Sequence, residues 1–200
     1  RLRGPDADAA LIAELQDAPP PDAGPVYAPC HGAVWRIRAA TALLERGHPA
    51  GFVAATAIVA EREHASAPDF THDLDPLASA LGASPAEGTE TLLVRFLASP
   101  DRLVAHSAAL GLAARARPRP LAQASIAALA TCVAGPGAWT RLEARRLLDR
   151  TTLTNEQRAT LAANVAAATA TYGPQAFLGY RSPPPPAPQQ PVAKPGADDF

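Results

Sequence analysis

Apolar positions recur at helical spacing along most of the chain. Val34, Ile37, Thr41 and Leu44 fall at i, i+3, i+7 and i+10, the stripe of an amphipathic helix that Gly47 and Pro49 end. Phe52, Ala55 and Val59 mark a second helix, to about Glu63, and a short one is expected over 73–81, stopped by Gly82 and Pro85. Leu92 with Phe96 and Leu93 with Leu97 predict the next. Leu103, Val104, Ala108, Leu110 and Leu112 then run to Arg115, with Ser99 as the expected N-cap and Pro100 in the first turn. Ala122, Ile126, Leu129 and Val133 form another stripe, and Trp139, Leu142, Leu147 and Leu148 follow the turn at Gly135-Pro136-Gly137. Thr154, with Gln157 three residues on, reads as a capping box opening a last helix through Leu161, Val165 and Tyr172 to Gly173. Ahead of these, Leu11, Ile12 and Leu15 predict a short helix over 6–17.

Proline divides the chain into three parts. Residues 1–32 pair the short first helix with a connector, 18–32, expected to be non-helical and to lie along the body. Residues 33–173 form the helical domain, broken by a loop at 65–72. Residues 174–200 are a low-complexity segment expected to run extended, in polyproline II form, or to be disordered in isolation with its aromatics packed back on the last helix.

Composition narrows the fold class to all-α. Alanine occurs 48 times in 200 residues and aromatics make up 5%, so β-branched and aromatic residues are too sparse for an all-β chain. The basic residues are 17 arginines and Lys194, which with the alanine and proline excess points to a GC-rich, bacterial-type genome. A formal net charge of −1 argues against a global attraction to nucleic acid or anionic membrane. Locally, seven acids and one base lie between Val59 and Glu90, whereas eight arginines and three acids lie between Arg115 and Arg158. No run of 18 apolar residues predicts a transmembrane helix. The chain starts at Arg1 and contains no methionine. The expectation is a processed, exported (periplasmic) protein, with a cytoplasmic one as the alternative.

Residues 91–116 resemble a HEAT repeat. LLVRFLAS would be its first helix, and PDRLVAHSAALGLAARA its Pro-Asp turn and second helix, with Val104, Ala108, Ala109, Leu110 and Gly111 in the signature positions. IRAATALLERG from Ile37 and TRLEARRLLDR from Thr140 are similar to second helices of neighbouring units. The turns at Pro100 and Gly137 are 37 residues apart, near the family period. The resemblance implies a short right-handed stack of antiparallel helix hairpins, an α-solenoid that presents its surface to proteins or peptides and seldom carries catalysis. An irregular helical bundle is the alternative.

Candidate chemistry is thin. Glu45 with His48 and Glu61 with His64 have the spacing of helical metal ligands, and His64, Asp69, His72, Asp73 and Asp75 form a denser acidic cluster. Solvated surface is the simpler reading of both, and no zinc or calcium pattern is present. Cys30, ahead of a helix and beside His31, lacks any nucleophile signature. Cys132 lies on an apolar stripe, and a Cys30–Cys132 disulfide is expected if the protein is exported. Arg115, Arg117, Arg119, Arg141, Arg145 and Arg146 suggest a basic ridge for an acidic protein surface or, as the alternative, for nucleic acid. Phe177, Tyr180 and Arg181 suggest that the proline-rich arm docks on another subunit. No phosphate-loop, dinucleotide, nucleophile-elbow or zincin motif is present, so neither cofactor nor small-molecule substrate is expected. The resulting expectation is a non-catalytic helical-repeat scaffold or accessory subunit within a larger protein assembly. A His/Asp metal enzyme ranks last.

Overall fold

A computed structural model describes residues 4–16, 28–64 and 74–178, with the side chains of 28–33 and 64 left undescribed. The described residues form nine α-helices and no strand: α1 (Pro5–Gln16), α2 (Ala28–Glu45), α3 (Pro49–His64), α4 (Asp75–Ala83), α5 (Thr89–Leu97), α6 (Arg102–Ala116), α7 (Gln123–Ala134), α8 (Ala138–Asp149) and α9 (Asn155–Tyr172). None of them is long and apolar enough to cross a membrane.

Helix starts follow local chemistry, with two corrections to expectation. Thr154 makes the full capping box with Gln157 at the start of α9. At α6 the N-cap is Asp101 and not Ser99. The Asp101 carboxylate accepts from the Leu103 and Val104 amides, while the Ser99 hydroxyl accepts from the Asp101 amide at 3.2 Å. An ionised cap also interacts favourably with the helix dipole, which a serine cannot match. The second correction is at α2, which begins at Ala28 and takes Pro29 into its first turn, where a missing N–H costs nothing. The connector's last residues are therefore helical, and residues 17–27 lie outside the described residues, as do 65–73 and 179–200.

The helices pack in two rows. α2, α4, α6 and α8 are successive neighbours in one; α3, α5, α7 and α9 follow one another in the other. Pairs α2–α3, α5–α6 and α7–α8 join the rows, and α1 packs on α2. Same-row neighbours run parallel, because bonds link their starts to starts and ends to ends. In the second row, the Glu90 carboxylate on α5 accepts from the Ala122 amide (2.7 Å) and the Ser125 hydroxyl (2.5 Å) at the start of α7, which has no cap of its own. Further along, the Cys132 thiol approaches the Leu97 carbonyl, the Gln157 amide donates to Gln123, and the Asn164 amide donates to the Ala130 carbonyl at 2.7 Å. In the first row, the Ser107 hydroxyl donates to the Asp75 carboxylate at 2.6 Å. The offsets in these bonds are 32 to 35 residues. Helices α5, α7 and α9 accordingly start at 89, 123 and 155.

Between the rows lies a core of buried leucines, among them Leu44, Leu81, Leu93, Leu112, Leu129 and Leu148. Helix α9 buries only Leu161 and Ala168, and its outer face is largely alanine and threonine, so it ends its row without leaving large apolar side chains in water. The chain then turns at Gly173, where φ is +77°, and lays Ala176 against α8.

Two predictions concern stability. A Cβ at Gly82 would lie 1.9 Å from the Gly111 carbonyl oxygen, so Gly82→Ala forces α4 and α6 apart. The expected loss is about 1–3 kcal/mol, measured by urea unfolding; unchanged stability would show that this contact is not fixed. The second concerns Arg62 and Asp101, whose Nε–Oδ2 distance of 2.9 Å ties α3 to the start of α6. Burial pushes the Asp101 carboxyl up, but the Arg62 hydrogen bond and charge and the Leu103 and Val104 amides together hold it below its usual value. A depressed folded pKa contributes stability above the unfolded pKa, near 3.8, and loses it as pH falls through the folded one. Asp101→Asn should therefore destabilise the protein at neutral pH and have a shrinking effect below about pH 4, followed by thermal denaturation across pH.

Candidate binding groove

The arginines expected to share one ridge separate into two groups. Arg115 is largely inside. Its guanidinium donates to the Ser84 carbonyl (3.1 Å) and Thr89 hydroxyl (3.3 Å) and lies 3.6 Å from the Glu90 carboxylate. Arg141 is 4% exposed, donates to the Gly135 and Ala176 carbonyls at 2.8 and 3.2 Å, and stacks 3.9 Å over the Tyr172 ring. Burial lowers its pKa, opposed by Tyr172. The Arg145 Nε–H is shared between both Asp149 carboxylate oxygens, at 2.7 and 2.8 Å, and the guanidinium lies over Phe177. These three serve the protein's own packing, and the expected ridge is corrected accordingly. The Phe177 ring, expected to contact another subunit, packs on its own core. Tyr180 and Arg181 lie outside the described residues.

Arg117 and Arg119 do reach the surface. Arg117 is the C-cap of α6 and Arg150 the C-cap of α8, and among the described residues neither guanidinium has a hydrogen bond or ion pair. They stand on opposite sides of a cleft of ≈ 470 Å³ between the ends of α6 and α8. Its floor includes Leu121, Ile126 and Leu147; Arg146, paired to Glu143 at 2.7 Å, lies on the α8 side.

Matching stripes on the two parallel helices follow the seam from which this cleft opens. His106, Leu110, Ala113 and Arg117 lie at i, i+4, i+7 and i+11 of α6, and Trp139, Glu143, Arg146 and Arg150 repeat those intervals on α8, each 33 residues later. At the far end, the His106 and Trp139 rings meet with centroids 6.1 Å apart. There Trp139 is 47% exposed, and Leu103, one turn before His106, is 41% exposed. The cleft thus occupies the cationic end of the α6–α8 seam, and the His106–Trp139 contact lies at the seam's other end, outside the cleft lining. Sequence reading named only Arg117 and Arg146 of its rim. The 33-residue echo was available as a signal, but it carries meaning only once α6 and α8 are known to be neighbours.

The other candidates do not converge. His48 Nδ1 accepts from the Ala50 amide at the start of α3, and Glu61 is held by Arg36 at 2.7 and 2.9 Å. Among the described residues no three His, Cys, Asp or Glu side chains group to hold a metal; Asp69, His72 and Asp73 lie outside them. Cys132 carries a free thiol, and the Cys30 side chain, the other half of the expected bridge, lies outside the described residues. Cys132, within α7 and partly buried, faces the Leu97 carbonyl.

Fold and groove define an all-α protein with its helices in two parallel-neighbour rows. Comparison with protein-family models, curated proteins and solved structures gives no match.

Burial pushes the Cys132 thiol up to about 11, so it stays protonated at neutral pH. Iodoacetamide at pH 8 should alkylate it far more slowly in native protein than in urea, followed by peptide mass spectrometry. Equal rates would contradict the packing around α7. Arg141→Ala leaves the Gly135 and Ala176 carbonyls without their donor, at a cost of about 2–4 kcal/mol, and should expose the peptide bonds near Phe177 to limited proteolysis.

Proposed function

We propose that the chain is a non-catalytic, HEAT-like helical-repeat module that binds another protein within a larger assembly, and that the α6–α8 groove is its binding surface. The carrying observation is the cleft itself. An open cleft with an apolar floor and two uncommitted arginines, with the exposed Trp139 further along the same helix pair, offers recognition, and among the described residues no His, Cys, Asp and Glu side chains group to hold a metal. The near-constant offset between parallel neighbours supports the repeat reading over an irregular bundle. Nucleic-acid binding is the competing reading. It needs a continuous basic ridge, and Arg115, Arg141 and Arg145 are spent on internal contacts.

Affinity purification of the tagged chain from its source organism tests this, run beside a Trp139→Ala/Arg150→Glu variant whose helicity is checked by circular dichroism. Retention of one protein by the parent chain, and its loss from the variant, is the expected result. Equal retention by both would move binding elsewhere. Elution of the native protein as a free 20.6 kDa monomer, with nothing associated, would remove the proposal.

A further inference from the structure

Because the cleft and the far end of the α6–α8 seam differ chemically, this surface specifies more than a protein partner. Resting on the reading of the cleft as the binding surface, we infer that it takes an extended acidic segment whose pair of carboxylates enters the cleft at Arg117 and Arg150 while a large apolar side chain seats on the exposed Trp139 and Leu103, further along the same two helices. Charge complementarity selects the acidic end. Arg117 and Arg150 face the same cleft, one from each helix, and Arg146 has already satisfied Glu143, so the uncompensated charge is the two C-cap guanidiniums. Planar guanidiniums favour carboxylates through paired, directional hydrogen bonds. The apolar end is selected by Trp139 at 47% and Leu103 at 41% exposure, beside a His106 whose Nδ1 has no partner among the described residues.

Spacing follows from helix geometry. Trp139 and Arg150 are eleven residues apart on one helix, about 16 Å at a rise of 1.5 Å per residue. An extended chain covers that distance in about five residues. The cleft of ≈ 470 Å³, at the Arg117–Arg150 end, admits a few side chains.

Phage display of a random dodecapeptide library on the immobilised full chain tests this. Enriched peptides should carry an aromatic or large aliphatic residue with two acids about four to six positions away. A synthetic copy of the leading peptide should bind the Arg117→Glu/Arg150→Glu variant at least about tenfold more weakly. Replacing its acids by lysine should restore binding to that variant. Trp139→Ala should weaken both pairs. Enriched peptides that are indifferent to the arginine reversals but lost with Trp139→Ala would overturn the acidic assignment while leaving the groove as the binding surface. No enrichment, or enrichment indifferent to both changes, would overturn the inference and count against the groove as well. A single-stranded oligonucleotide that displaces the peptide and binds more tightly at the same salt would replace the acidic segment with nucleic acid.

Discussion

Backbone contact between α4 and α6 sets the geometry on which the first row depends. Gly82 and Gly111 face each other with no Cβ between them, and a Cβ on Gly111 would come within 2.6 Å of the Ala78 carbonyl and of Leu93. Helices this close exclude water from their shared edge and leave little freedom in rotation. α6 is thereby held with Val104, Ala108 and Leu112 towards the core and His106, Leu110, Ala113 and Arg117 away from α4, towards α8. The alanine excess serves the same end. Small side chains add little apolar area each, so the chain relies on close packing and on polar links between neighbours to hold its rows together.

Those links have a common logic. Every helix end leaves backbone groups without partners, and in this protein side chains from adjacent elements meet them. Arg115 on α6 donates to the carbonyl of Ser84, the C-cap of α4. Arg141 on α8 donates to the carbonyl of Gly135, the C-cap of α7. Glu90 on α5 accepts from the uncapped start of α7. Each contact ties one helix to the end of another, so loss of a single arginine or glutamate removes both a cap and a joint. Buried charge is tolerated because each group meets complementary dipoles or an opposite charge.

The same accounting separates structural arginines from those available for binding. Arg115, Arg141 and Arg145 are occupied by backbone carbonyls, aromatic rings or neighbouring acids. Arg117 and Arg150 cap the ends of parallel helices and keep their guanidiniums free among the described residues. A helix C-terminus favours a cation, so these positions suit stability as well as recognition. A partner carboxylate would meet a charge already held in place by the fold, which lowers the ordering cost of binding.

Helix class and most helix boundaries were legible without coordinates, because amphipathic spacing, proline and glycine stops and the Thr154–Gln157 box act locally. Where a local competition decided the detail, the reading missed: Asp101 displaced Ser99 as cap, and Pro29 started α2 where a connector was expected. The arginine cluster was visible as composition, but its division into buried and free members was not. Arg115 and Arg117 lie two residues apart, and only the position of α4 and α5 beside α6 draws one inward and leaves the other out. Leu103, His106 and Trp139 read as ordinary members of two separate helices until α6 and α8 are placed side by side. Local sequence chemistry determined the helices, their caps and the charge content. Tertiary packing alone decided which polar groups would be consumed as joints and which would face a groove, because that choice depends on neighbours about 33 residues away along the chain.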